Sequence, residues 1–262
     1  MNFKGVKAKK YLGQNFLNSE DVLNKIVRSL EIKENEFFIE IGAGTGVLTR
    51  EFVRAGAQVA AVETDESLVR ILREDFSGNP DIEIVKADIL KLDLTEYAER
   101  GEALRIAGNI PYYITSPILF KILDNRDFVK DATLMIQKEV GERLTAEPGN
   151  KIYGIPTVLF NQFADVKKLF YVSRNCFSPR PDVDSVVINI SFLEKPRYFL
   201  KNEEFFKKLV KQAFGQRRKM LRNTLRSILP DIHKDFLSTV LSRRPEQLTT
   251  EDFAALSNEL YK

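Results

Sequence analysis

The run Phe37-Phe38-Ile39-Glu40-Ile41, followed at once by Gly42-Ala43-Gly44-Thr45-Gly46, decides the fold. Four apolar residues in five, aromatic or β-branched, read as a strand buried on both faces. The three glycines then make a turn on which backbone can approach a ligand closely. Val47 to Ala55 reads as the helix that follows. Working outward, the pattern repeats: Val59-Ala60-Ala61-Val62 reads as a second strand and Ser67 to Phe76 as a second helix. Ile82-Glu83-Ile84-Val85, Leu104-Arg105-Ile106-Ala107 and Ala132-Thr133-Leu134-Met135-Ile136 supply three more strands. This alternation predicts an α/β fold with a doubly wound, mainly parallel sheet and ligands at the carboxyl ends of its strands. Upstream, Ser19-Glu20-Asp21 opens a helix carrying Val22, Leu23, Ile26, Val27 and Leu30. Downstream, Asp165 to Val172 and Ser185 to Phe192 read as late strands joined by a turn containing Pro179 and Pro181, an antiparallel hairpin on one edge.

The character changes beyond Pro196. Phe205, Phe206, Leu209, Val210 and Phe214, then Leu221, Leu225 and Ile228, recur at helical spacing, with Gly215 a break. A cut near Glu194 to Pro196 therefore predicts a domain of residues 1–194 and a small all-helical domain of residues 195–262. The net charge of +3 conceals an asymmetry: residues 195–262 hold 15 basic against 8 acidic residues, while residues 1–194 hold 25 against 29. Lys207, Lys208, Lys211, Arg217, Arg218, Lys219, Arg222 and Arg226 have no acid among them, as in a surface that faces a polyanion. The alternative is a solvated helix face.

The chain has 262 residues, 44% hydrophobic and 29% charged, with no apolar run near bilayer length and no charged-then-apolar leader at Met1; a cytoplasmic protein without a membrane segment is expected. One cysteine, Cys176, excludes an internal disulfide, and together with one histidine, His233, it is too little for a Cys/His metal site. Zinc chemistry and Ser-His or Cys-His catalysis are disfavoured, and no metal is expected. His233 reads as a surface residue and Cys176 as a small buried hydrophobe. Lys4 to Lys10 reads as a basic, mobile arm, with order starting near Tyr11.

Glycines at 42, 44 and 46 lack the spacing of a dinucleotide site, so a nicotinamide cofactor is the weaker reading. Glu63 ends the second strand, where an acid can accept from two ribose hydroxyls, and Asp88 follows the third, where a carboxylate can accept from an adenine amine. Glu-x-Gly-x-Gly-x-Gly resembles motif I of the S-adenosyl-L-methionine-dependent, Rossmann-like methyltransferases. Asn109-Ile110-Pro111-Tyr112 resembles motif IV of N6-adenine methyltransferases, and its continuation Tyr113-Ile114-Thr115-Ser116-Pro117 is similar to the ribosomal RNA adenine N6,N6-dimethyltransferases. Tyr11-Leu12-Gly13-Gln14-Asn15-Phe16-Leu17 resembles that family's N-terminal cofactor lid. Arg143 to Gly149 with Tyr153-Gly154, the Phe177-Ser178-Pro179-Arg180-Pro181 segment through Ser185, and the C-terminal helix Phe214 to Asn223 resemble further family segments.

The resemblance covers nearly the whole chain. It implies that Asn15, Leu17, Gly42, Gly44, Glu63, Asp88 and Asn109 line a pocket for S-adenosyl-L-methionine. It also implies two neighbouring adenosines of small-subunit (16S) rRNA, near its 3′ end in a pre-ribosomal 30S particle, as the substrate of a monomeric enzyme in ribosome biogenesis. Arg217, Arg218, Lys219 and Arg222 would contact that RNA. The residues support the same chemistry: the adenine N6 lone pair is delocalised, and acceptors at the Asn109 side chain and Ile110 carbonyl would favour a pyramidal nitrogen. Pro111 belongs to the same motif. Tyr112 would stack on the flipped base, with Phe177 a candidate for its other face or else a core aromatic. Large-subunit methyltransferases of the macrolide-resistance type share the fold, as do non-catalytic assembly or transcription factors; both remain alternatives.

Overall fold

In the computed structural model, residues 8–9, 13–98, 100, 103–229 and 235–261 are described, with the side chains of 235–237 excepted. Lys4 to Lys7, Lys10, Tyr11, Leu12 and His233 therefore lie outside the described residues. In chain order the elements are β1 (Phe16–Leu17), α1 (Glu20–Leu30), β2 (Phe37–Ile41), α2 (Val47–Arg54), β3 (Gln58–Glu63), α3 (Glu66–Asp75), β4 (Ile82–Lys86), α4 (Thr95–Ala98), β5 (Leu104–Asn109), α5 (Thr115–Asp124), β6 (Val129–Gln137), α6 (Lys138–Leu144), α7 (Ile155–Phe163), β7 (Ala164–Val172), β8 (Phe177–Ser178), β9 (Ser185–Phe192), α8 (Glu203–Phe214), α9 (Leu221–Thr224), α10 (Asp235–Leu241) and α11 (Thr250–Leu260).

A seven-stranded sheet runs β4-β3-β2-β5-β6-β9-β7, parallel from β4 to β6, with β9 antiparallel to β6. Every residue of β2 is buried, as its unbroken apolar run requires of a strand covered on both faces. The late strands lie at one edge, with β7 outermost. What read as a plain turn between them contains β8, which pairs with β1 in a separate two-stranded sheet, Leu17 opposite Phe177. Leu30, Phe38, Phe52, Val59 and Leu72 form part of a continuous core between sheet and helices. Burying each such side chain contributes about 1.5–3 kcal/mol. Cys176, expected to be buried, is partly exposed and packs against this core.

The amino-terminal edge of the sheet is closed by charge. Arg105, 7% exposed at the start of β5, donates from Nε to Asp131 Oδ1 at 3.0 Å, from Nη1 to Glu36 Oε2 at 2.6 Å and from Nη2 to the Leu30 carbonyl at 2.9 Å. Its guanidinium also lies 4.8 Å from the centroid of the Phe38 ring. At the other edge, a Cβ on Gly108 would come to 2.4 Å from the Ile41 carbonyl oxygen. Only glycine lets β5 lie this close to the end of β2.

The chain divides into two compact units, residues 1–141 with 167–192, and residues 142–166 with 193–262. This differs from a single cut at 194, because residues 142–166 belong with the tail. In α7 the apolar run Val158-Leu159-Phe160 and also Phe163 are buried, and Phe163 meets Phe206 of α8 edge-on at 6.4 Å. Tyr153 and Phe253 flank Phe214 at 6.2 and 5.8 Å. The second unit therefore takes its core from both stretches. Its helix α8 is capped by Asn202, whose Oδ1 accepts from Phe205 N at 2.8 Å, and α11 by the reciprocal Thr249–Asp252 bonds.

One further correction concerns Arg217 to Lys219. The helix stops at Gly215, and residues 215–218 form a turn before the four-residue α9. Gly215 has low helix propensity, and the following Gln-Arg-Arg-Lys run has nothing apolar before Met220, which is exposed, and Leu221, the first buried side chain. Among the described residues no helix is long and apolar enough to cross a membrane.

Candidate active site

The carboxyl ends of β2, β3 and β5 and the turn after β4 converge on a cavity of about 310 Å³. It is lined by Asn15, Gly42, Gly44, Glu63, Asp88, Asn109, Ile110 and Pro111, with Ile41, Val62, Leu68 and Ile89 as apolar walls. The size lies at the small end of the usual range for ligand sites. Gly42, Gly44 and Gly46 take φ of +71, +58 and +73°, a left-handed backbone that side chains disfavour. At Gly46 a Cβ would also come to 2.7 Å from the Phe76 ring.

Glu63 is 8% exposed and held by backbone: Thr64 N and Asp65 N donate to Oε1 at 2.8 and 2.9 Å, and Gly44 N to Oε2 at 2.9 Å. A carboxylate accepts about four bonds, so Oε2 keeps capacity for a hydroxyl. Asp88 receives Leu90 N on Oδ1 at 3.0 Å. Glu40, 1% exposed, is bonded by the Thr49 hydroxyl. Burial pushes its carboxyl up to about 8, with the Thr49 bond opposing and the charge of Glu63 adding to the shift.

Asn109 ends β5 and donates from Nδ2 to the Asn15 carbonyl at 2.9 Å, so its oxygen is the end left to accept. Ile110 N is fixed by the Met135 carbonyl at 3.0 Å. Tyr112 is half-buried, with its hydroxyl 2.7 Å from Ser185 Oγ, and burial pushes the phenol above its ordinary range. The lining passes from Pro111 to Tyr113, an aromatic that is 58% exposed and that the sequence reading gave no role.

Three expected residues, Tyr112, Leu17 and Phe177, do not line the cavity. Leu17 and Phe177 are 6% and 3% exposed and face each other across the β1–β8 pair inside the core cluster. The apolar interior wins both side chains of this pair, which share one core cluster with Leu23, Ile26 and Leu30 of α1. Phe177 here is the core aromatic of the two readings. Lys9, expected in a loose arm, instead donates from Nζ to Asp65 Oδ1 at 2.6 Å. Burial alone would raise the Asp65 carboxyl, but bonds from Lys9, Ser67 and Gln14 outweigh it and hold the group well below the ordinary carboxylate range. No local pattern could have announced this pair, which is separated by 56 positions.

In the second unit Arg217 is half-buried and committed, donating from Nη2 to the Asn150 carbonyl at 3.1 Å, whereas Arg218, Lys219 and Arg222 are exposed. Among the described residues no group of three or more His, Cys, Asp or Glu is placed to share a metal ion.

A family model described as ribosomal RNA adenine dimethylase matches residues 5–262. A ribosomal RNA small subunit methyltransferase A from Geobacter metallireducens is 42% identical over 99% of this chain and 98% of that protein. The crystal structure of a dimethyladenosine transferase from Plasmodium falciparum superposes with a TM-score of 0.78 at 27% identity, covering 92% of this chain and 95% of that one. The structure of the 23S rRNA methyltransferase ErmE gives 0.70 at 25% identity, covering 94% and 100%.

Proposed function

We propose, on the premise that this chain belongs to the ribosomal RNA adenine dimethylase family, that it transfers methyl groups from S-adenosyl-L-methionine to N6 of two adjacent adenosines near the 3′ end of 16S rRNA, giving N6,N6-dimethyladenosine. Asn109 carries this reading: it lines the cavity with its amide nitrogen already committed to Asn15, so an oxygen acceptor remains for an incoming amine. The lining fits the cofactor, since glycines on the turn and carboxylates at two strand ends suit a ligand with hydroxyls, an amine and a flat ring. When bound, S-adenosyl-L-methionine supplies an electrophilic methyl on a sulfonium.

The chain's own residues do the rest. Gly42 and Gly44 admit the amino acid end, Glu63 accepts from ribose hydroxyls, Asp88 accepts from the adenine amine, and Ile41, Val62, Leu68 and Ile89 exclude water. The Asn109 oxygen and the Ile110 carbonyl accept the two N–H bonds of the target amine, favouring a pyramidal nitrogen. Tyr112 stacks on the base, contributing about 1–3 kcal/mol. No strong base is needed, because N6 with an added methyl and a positive charge is acidic. Arg218, Lys219 and Arg222 are the cations we assign to rRNA phosphates. The large-subunit alternative is set aside because the relative at 42% identity bears a small-subunit name.

Purified 30S subunits lacking the modification, incubated with labelled cofactor across a salt series, test the whole reading. Dimethyladenosine should appear in 16S rRNA, and Asn109→Ala should lower turnover by about 10²–10³ at unchanged subunit affinity, as for loss of one preorganised acceptor. Replacing Arg218, Lys219 and Arg222 with Gln should flatten the salt slope by roughly 0.7–0.9 per lost phosphate contact. No transfer to 30S subunits, or label entering large-subunit rRNA when purified 50S subunits are offered instead, would overturn the assignment.

A further inference from the structure

Lys9 and Gln14 meet at one carboxylate, that of Asp65. Asp65 caps α3, is 4% exposed, and accepts from Ser67 N at 2.9 Å and Ser67 Oγ at 2.7 Å. A helix cap needs no more than this. Yet Lys9 Nζ also donates to Oδ1 at 2.6 Å and Gln14 Nε2 to Oδ2 at 2.9 Å. Lys9 N in turn donates to Gln14 Oε1 at 2.8 Å, so Lys9, Gln14 and Asp65 close a ring of polar contacts. The next residue, Asn15, presents the carbonyl that receives Asn109 Nδ2, and turns its own Nδ2 back onto the Gly13 carbonyl at 3.1 Å. Gly13 lies against the Tyr113 ring, where a Cβ would approach to 3.0 Å, so the segment meets the Asn109–Tyr113 stretch at two points.

Only the NH₂ end of an amide can donate to a carbonyl, so the position of the Asn15 carbonyl decides which end of Asn109 is left as acceptor. We propose that Asp65 and Lys9 are positioning residues for methyl transfer: through Gln14 they hold the Asn15 carbonyl in place and thereby set the orientation of the Asn109 amide. The contact chain stands on geometry alone, while its effect on turnover rests on the function proposed above.

The test combines steady-state kinetics with hydrogen exchange of the Asn109 side-chain amide, identified in NMR spectra by its loss in Asn109→Ala. In Lys9→Met and Asp65→Asn, kcat should fall about tenfold and the amide should exchange about tenfold faster, as expected when a hydrogen bond to a charged group is lost, with KM for rRNA little changed. Lys9→Arg should restore both. Ser67→Ala removes part of the cap alone and should leave both within about twofold of wild type, whatever it does to thermal stability. Wild-type exchange in Lys9→Met and Asp65→Asn would overturn the proposal, as would an equal loss of turnover in Ser67→Ala. Should wild-type protein transfer no methyl at all, the functional reading falls, and the exchange measurement still decides whether Asp65 and Lys9 orient the amide.

Discussion

The two edges of the large sheet handle buried charge in opposite ways. At the amino-terminal edge, Arg105 meets Asp131, Glu36 and the Leu30 carbonyl, and the charges neutralise one another inside the protein. At the carboxyl-terminal edge, Glu63 is held by backbone N–H groups, and no basic side chain among the described residues donates to it. The first arrangement is complete in itself. The second keeps an acceptor oriented and unneutralised, which is what a hydroxyl-bearing ligand requires. A closed network at one edge thus fixes strands whose other ends remain chemically open.

Breaking the closed edge should have the largest effect. Arg105→Met strands the buried Asp131 carboxylate and takes one of its partners from the half-buried Glu36, which keeps Lys130 at 3.7 Å, and should cost about 3 kcal/mol of unfolding free energy in urea titration, with cofactor affinity of the folded fraction unchanged. A loss within the scatter of surface substitutions would show that the network is incidental. At the open edge, Glu63→Ala should cost less and in another currency, about 1.5–3 kcal/mol of cofactor affinity by calorimetry. Unchanged affinity would make Glu63 a mere brace for the glycine turn.

The last effect, read against pH, concerns Glu40. Its folded value near 8 lies above its ordinary 4.5, so folding takes up a proton between those values and stability falls as pH rises through that window. Asp65 is shifted the other way, and its contribution is lost only in acid, below this window. Thermal melts of wild type should therefore decline from pH 6 to 8 relative to Glu40→Gln, whose amide does not titrate. Parallel curves would remove Glu40 from the account.

The open edge was far more legible in the sequence than the closed one. Glycines on a turn and acids at successive strand ends are local signals, and Phe37–Ile41 was read to the residue because its apolar run has sharp ends. Arg105 and Asp131 each look like a polar residue on a solvated strand face, since nothing in sequence shows that the two strands are neighbours. Helix α7 escaped for the opposite reason: it is apolar almost all round and lacks the contrast that periodicity detects. Asp65 had a legible local part as a cap, and an illegible one in its bonds to Lys9 and Gln14.

The bare backbone at Gly108 has a consequence for reach. By letting β5 press against the end of β2, it brings the Asn109 carbonyl oxygen within 3.6 Å of the place where a Cβ of Gly42 would stand. Group transfer demands that donor and acceptor atoms meet at about 3–3.5 Å, and a 1 Å misplacement can cost about 10² in rate. Under the roles proposed for Gly42 and Asn109, the spacing between the methyl's origin and its destination would be set by the absence of one side chain, a ruler built into the sheet rather than a distance that a loop must find.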